Sequence, residues 1–411
     1  MKRSLVLLVL APFALFGENL GELIDLSKNN KMIDVSLRTL ESTKSSYEST
    51  KGAYLPSVTI GAKYQATNKE TSGVPDNTTQ MYGSVSYTIY DGGTRGNTYD
   101  YYEAAINSGN ENLTNIKNQI ALQVTNYYYN YLALVSQKEA KQKEIEQLDA
   151  QQKRLERFLE AGTATDDEVQ TIISRVEAAN VDLHQIELDI QTILHNLEYT
   201  VGKPVSITKG SKIQEFISKE QSLRADIKAL EYDMNAQFSN AKASKGGNYP
   251  SLVVSDTYTK YDNNYETSAL SSASAEYSQN IVALSLSWNI FDFGSTSKSY
   301  EAAYKRYLAL KSQYEYEKNK ASVDLRLASK AYDIAKLKIK SAKAGLKAAN
   351  SAYESIKAKF QNGLVDNVTF LESLSDRSDA QSALQAALYD FEVKKANIIY
   401  HSGKNLEEYI Q

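Results

Sequence analysis

Residues 91–203 recur as residues 292–404 at a constant offset of 201, with no insertion or deletion. Asp91 falls on Asp292, Gly162 on Gly363, and Gly202-Lys203 on Gly403-Lys404. Before each copy stands a similar phrase, Tyr54-Leu55-Pro56-Ser57 and Asn248-Tyr249-Pro250-Ser251, sharing Pro-Ser at an offset of 194. A self-similar chain is built from repeated units, none of which buries its apolar face alone. The 411 residues therefore read as a signal peptide over 1–17, a first repeat over 18–203 and a second over 204–411. Each repeat holds a helix, two strands and a long helical hairpin.

Lys2 and Arg3, the apolar run from Leu5 to Phe16, and Gly17 before Glu18 have the pattern of a secretory signal. The run is too short for a membrane-spanning helix, which needs about 20 apolar residues. No later stretch has that length and apolarity. An exported chain of this kind is either soluble or inserted in an outer membrane as strands. The net charge of −4 lacks the basic stripe of a nucleic-acid binder. The absence of cysteine removes disulfides, thiolate metal sites and thiol nucleophiles.

Five prolines mark boundaries, and none falls within 76–203 or 251–411. Alternation predicts four strands. Val58, Ile60, Ala62 and Tyr64 share one face of the first, and Met81, Val85, Tyr87 and Ile89 one face of the second. Leu252, Val254 and Tyr258 mark a third that Asp256 and Lys260 interrupt; Val282, Leu284, Leu286, Trp288 and Ile290 mark the fourth. Polar stretches at about 69–80 and 262–279 read as the loops between them. One apolar and one small, polar face suits a strand between lipid and water, and Tyr and Trp near strand ends suit an interfacial belt. A soluble sandwich alternates in the same way.

The helical segments separate these readings. Thr94–Glu160 and Thr296–Phe360 lack proline, and the first spans about 100 Å as a helix at ~1.5 Å per residue. The return segments 166–200 and 366–402 carry apolar seams. One runs Val169, Ile172, Val176, Ala179, Leu183, Ile186, Ile190, Ile193, Leu197, at coiled-coil intervals of three or four. The other faces are too polar for a globular core, so these helices pack as a layer with solvent on both sides. The half-length segments 20–53 and 213–245 are expected to stack end to end with the shorter return helices. Four strands leave two unpaired edges, and in hydrocarbon each orphaned backbone group costs several kcal/mol. Closure needs copies. Eight strands enclose little but side chains, whereas twelve leave an aqueous lumen, so the expectation is a homotrimer.

Duplicated halves, Pro-Ser strand starts, Asp-Gly-Gly (91–93) or Asp-Phe-Gly (292–294) at the exit from strand to helix, and a glycine at each hairpin tip resemble the TolC family of outer-membrane efflux proteins. The resemblance covers about 18–411. It implies a mixed α and β membrane protein in which each chain gives four strands to a trimeric 12-stranded β-barrel, with long α-helical hairpins forming a periplasmic α-barrel. It implies localisation in the cell outer membrane with a long periplasmic extension. The function implied is a passive exit duct of a tripartite efflux pump (multidrug export among them) or a type I secretion system. Its partners would be outer-membrane lipid, a periplasmic adaptor and an inner-membrane RND or ABC transporter. It also implies that the adaptor docks at the tips, here Gly162, Thr163, Gly363 and Leu364. The family's narrow end carries acidic residues six and nine positions beyond the tip glycine. Those positions are Glu168 and Thr171, then Thr369 and Glu372, so Thr369 departs from the pattern.

Read without the resemblance, the tip glycines are helix C-caps, Thr165 and Asp366 are N-caps, and the glutamates face solvent or favour a helix N-terminus. A coiled-coil surface adhesin on a barrel anchor is the alternative function, disfavoured by the short interstrand loops. No Ser-His-Asp set, phosphate loop or metal cluster points to an enzyme or a cofactor. His184 and His195 lie roughly 16 Å apart along their helix at ~1.5 Å per residue. Asp292-Phe293-Gly294 lacks the companions of a kinase triplet.

Overall fold

The computed structural model describes residues 17–68, 74–215, 222–265 and 276–411. The expected signal peptide lies outside the described residues save for Gly17. In chain order the elements are α1 (Leu20–Ser27), α2 (Lys31–Ala53), β1 (Ser57–Ala66), β2 (Asn77–Asp91), α3 (Thr94–Glu160), α4 (Asp166–Val201), α5 (Ala225–Ser244), β3 (Ser251–Asn264), β4 (Glu276–Ser287), α6 (Ser295–Gln361) and α7 (Asn367–His401). The long helices keep to their expected bounds because proline and capping glycines set them.

Four boundaries differ from the sequence reading. The segment expected as a helix over 213–245 is helical, among the described residues, only over α5, because Ile213 is drawn into a bridge with Ile410. The segment 20–53 is two helices, broken at Lys28-Asn29-Asn30, where Asn30 turns its side-chain carbonyl to the Met32 N–H at 2.8 Å and its amide to the Thr200 carbonyl at 2.7 Å. The interstrand loops are shorter than expected, since β2 starts at Asn77, β3 runs to Asn264 and β4 starts at Glu276. Polar Ser, Thr and Asn side chains hid these strand ends, for the ladder needs only backbone. β4 stops at Ser287 rather than Ile290, because its partner β3 begins at Ser251, opposite Ser287. Beyond that point β4 has nothing to pair with in its own chain.

By contact the chain divides into two compact units, each assembled from segments of both repeats. One unit comprises 36–112 and 226–318. It holds the sheet, antiparallel throughout, in the order β1-β2-β3-β4. β1 and β4 are its edges. Pro56 and Pro250 precede the first residues of β1 and β3, where no ladder N–H is lost. The apolar face is bare: Val58, Ile60, Tyr64, Met81, Val282, Leu284 and Leu286 are 60–86% exposed. At the strand exits Asp91 accepts from the N–H of Gly93 (3.2 Å) and Arg95 (2.7 Å), and Asp292 from Gly294 (2.9 Å) and Thr296 (2.8 Å). The Asp-Phe-Gly triplet is thus a strand-to-helix turn. Here Phe293 holds a left-handed φ of 54° where the first repeat has Gly92 at 72°.

The other unit comprises residues up to 35, 113–225 and 319–411. It holds two buried clusters. One gathers Leu20, Leu23 and Ile24 of α1 with Val124, Tyr128 and Tyr129 of α3, Leu197 of α4 and Ile399 of α7. Connecting strands lace it: Ile213 bridges Ile410, and Glu18 bridges Ile207. The Tyr128 and Tyr129 hydroxyls donate to the carbonyls of Thr208 (2.8 Å) and Ser211 (3.2 Å). Buried Lys395 donates to the Ile213 carbonyl (2.6 Å) and pairs with Glu392 (2.6 Å), so its charge is compensated. The second cluster lies at the hairpin tips.

Candidate functional site

Two places are candidates for function: the sheet with its bare apolar face and free edges, and the paired tips of the helical hairpins. No helix among the described residues is long and apolar enough to cross a membrane. Strands with one apolar face are the remaining element that suits lipid.

Each tip is a Schellman turn. α3 ends with Gly162 at φ 71°; its N–H donates to the Leu159 carbonyl (2.9 Å) and the Thr163 N–H to the Phe158 carbonyl (2.8 Å). α6 ends with Gly363 at φ 70°, and the matching bonds run from Gly363 to Phe360 (3.0 Å) and from Leu364 to Lys359 (2.9 Å). The left-handed residue lets the chain reverse while the last carbonyls stay paired. Gly162, Thr163, Gly363 and Leu364 are all exposed, Leu364 at 72%. An exposed leucine at a turn with no packing duty is available to another molecule.

The returning helices start on caps. Asp366 accepts from the Thr369 N–H at 2.8 Å, and bonds from the Thr369 side chain and backbone hold its carboxyl below the ordinary 3.8. Glu168 reaches back to the Thr165 N–H at 2.9 Å and its hydroxyl at 3.2 Å, so much of its accepting capacity is spent on capping α4. Thr369 is half-buried. Glu372 is exposed, 3.9 Å from Arg175. The three aperture candidates are therefore unlike one another: a cap, a hydroxyl and an exposed carboxylate paired with Arg175.

Beneath the turns the two hairpins share one core of Leu148, Leu155, Val169, Ile172, Phe370, Leu371 and Leu374 among others. The Phe360 and Phe370 rings stack at 4.7 Å. Arg154 of α3 lies over Phe158 of its own helix (5.1 Å) and Phe360 of α6 (5.3 Å). Buried Gln151 of α3 donates to buried Asn367 of α7 at 2.8 Å, and the Tyr353 hydroxyl donates to Gln147 at 3.1 Å. Sequence reasoning missed these polar ties. Their partners are some 200 residues apart, and the fixed repeat offset was the one signal that set the two tips side by side. Two histidines are engaged within their own helix, His184 with Glu187 (3.2 Å) and His195 with the Gln191 carbonyl (2.7 Å), while His401 lies beside Arg224 (3.3 Å), 177 positions away.

No curated protein matches the chain. Several solved structures share its fold. VceC, an outer membrane protein of Vibrio cholerae, is 14% identical with a TM-score of 0.82, covering 94% of this chain and 96% of that one. The CmeC outer membrane channel of Campylobacter jejuni is 16% identical with a TM-score of 0.83, covering 95% and 86%. The open state of the MtrE outer membrane channel of Neisseria gonorrhoeae is 15% identical with a TM-score of 0.78, covering 94% and 89%. The sequence model for outer membrane efflux proteins matches residues 24–203 and 216–400, both repeats and nearly all of the described structure. A four-stranded sheet with a bare apolar face, two capped helical hairpins and this match together place the chain in the outer membrane efflux protein family.

Proposed function

We propose that three copies of this chain close a twelve-stranded β-barrel in the outer membrane and a helical tube in the periplasm. The assembly is the passive exit duct of a tripartite efflux pump or type I secretion system. An inner-membrane RND or ABC transporter drives export, and a periplasmic adaptor links it to the duct. The observation that carries this reading is the sheet: its apolar face is bare and both of its edges are open, a state tolerable only when lipid covers the face and other strands take the edges. Twelve strands leave the small polar side chains of the opposite face in water.

The adaptor docks on Gly162, Thr163, Gly363 and Leu364, whose exposure on rigid, fully capped turns supports that role. Glu168, Thr369 and Glu372 line the narrow end. Glu168 keeps its charge while it caps Thr165, and Glu372 lies 3.9 Å from Arg175, so both contribute to the acidity of that end. A ring of carboxylates favours cations.

Reconstitution in planar bilayers tests the duct: the purified protein should conduct ions, and a silent, non-conducting protein would refute it. In the same recordings Glu168→Gln and Glu372→Gln should each reduce cation preference. If neither variant alters selectivity or conductance, the acidic constriction is discarded. Photocrosslinkers at Thr163 and Leu364 in cells should capture an adaptor; labelling only of lipid or of the chain itself would remove the docking role.

A further inference from the structure

The polar face of the sheet is not uniform. Toward the helices its rows are mostly small, Ser57-Ser86-Ser255-Ala283 and Thr59-Ser84-Thr257-Ile281. The next two rows, toward the turns that join β1 to β2 and β3 to β4, are Gly61-Tyr82-Thr259-Gln279 and Lys63-Gln80-Tyr261-Tyr277. Residues paired across a ladder share one side of the sheet. Three tyrosines and a lysine therefore stand together on the side opposite Ile60 and Leu284. Tyrosines that could serve a lipid belt lie on the apolar side, as Tyr64 and Tyr258 do; Tyr82, Tyr261 and Tyr277 do not.

The rings are held in place. Tyr261 and Tyr277 are directly opposed, and their rings stack at 4.6 Å with planes 13° apart. Tyr82 lies flat across the neighbouring strand, since a Cβ on Gly61 would fall against its ring carbons and hydroxyl. Glycine there is the seat of the ring. All three remain open to solvent, Tyr277 at 43% and the other two half-buried. Among the described ladder residues this face carries two charges. Asp91, at the helix end, is spent on the exit turn to Gly93 and Arg95. Lys63 is exposed, and its row supplies no carboxylate.

We propose that these two rows form a collar inside the barrel that binds organic anions bearing a flat ring, the ring against tyrosine and the anionic group on Lys63. The inference rests on the duct reading above, which puts the polar face around water, and adds to it a site and a class of ligand. Charge decides that class. Tyrosine faces alone would attract a cation through the ring quadrupole. A lysine in the same row repels a cation and pairs instead with a carboxylate or sulfonate. The Gln80 and Gln279 amides and the Thr259 hydroxyl, in the same two rows, offer hydrogen bonds to the remaining polar atoms of such a molecule.

The test is block of single-channel current by naphthalenesulfonate added from the turn side of the barrel, in about 0.1 M salt so that charge is felt. The anion should interrupt the current reversibly and at lower concentration than naphthol, with naphthylmethylammonium the weakest. Lys63→Gln should raise the half-blocking concentration of the anion about two- to fivefold and leave that of naphthol unchanged. Tyr261→Ser should raise both about two- to tenfold, and Tyr261→Phe should keep them at the wild-type value, because the ring face and not the hydroxyl holds the ligand. Gly61→Val, which lifts Tyr82 from its seat, should weaken block by both; an unchanged value would remove Tyr82 from the collar. If the cation blocks as well as the anion, or if block is absent or survives both Lys63→Gln and Tyr261→Ser, the collar is overturned while the duct stands. A protein that is silent in bilayers removes duct and collar together.

Discussion

Gly162 and Gly363 sit in the left-handed region, where a β-branched side chain costs roughly 1–2 kcal/mol. Gly162→Val and Gly363→Val should each raise hydrogen exchange at the following turn amides, Thr163 and Leu364, and weaken capture of the adaptor. Asp366 gives a pH-dependent counterpart. Its carboxyl is held below the ordinary 3.8, chiefly by the Thr369 side chain, so its capping contribution is complete above 3.8 and is lost as the pH falls through the lower folded value. Protection of the Thr369 amide should therefore fall as the pH drops below 3.8, and Asp366→Asn should abolish that dependence. At this scale the sequence was readable where one residue has one local duty. Glycine after a helix and Asp or Thr before the next are such cases, and the caps at 162, 165, 363 and 366 stand where their residue types put them. Glu168 was ambiguous for the same reason: a glutamate three residues after a threonine also completes a capping box, and the structure uses it so.

At the scale of elements, the apolar seam of α4 was legible because spacing alone sets which face is buried. Val169, Ile172, Val176, Ala179, Ile190 and Leu197 are buried, while Leu183, Ile186 and Ile193 are only partly covered. Polar residues of the same core were not legible. Gln151 and Asn367 are buried because they satisfy each other across 216 positions, and periodicity records no such pairing. The strand ends failed for a related reason, since ladder bonds are made by backbone and leave Asn77 or Asn264 with no apolar signature. Ile172, fully buried, should cost about 2–5 kcal/mol when changed to alanine, through lost packing and a residual cavity. Leu364→Ala should shift thermal unfolding of the purified protein by under about 0.5 kcal/mol and act instead on adaptor binding. An equal loss of stability from both would mean that Leu364 packs in the assembled protein.

At the scale of the whole molecule, the two repeats and four strands could be read from one chain, but the partner that completes them could not. Alternation is the same for a strand facing lipid and a strand facing a sandwich core. The structure separates these by leaving the apolar face of 57–66 and 276–287 uncovered. Trp288, the only tryptophan, is 56% exposed beside the free edge, its indole N–H donating to the Asn248 carbonyl at 3.2 Å. Assembly should cover it, so emission should move to shorter wavelength as dilute detergent-solubilised chains associate. An unchanged spectrum across the transition would place the indole away from any contact between copies.

The guanidinium of Arg154 rests on aromatic rings from both hairpins, above leucines and isoleucines drawn from each. Prising those hairpins apart within one chain would wet that shared core, at about 2 kcal/mol for each large aliphatic side chain. Each subunit's pair of tips thus behaves as a single rigid stave. In the tube proposed above, staves of this kind would part along the seams between subunits, and a bolt placed inside one stave would leave the bore free to widen.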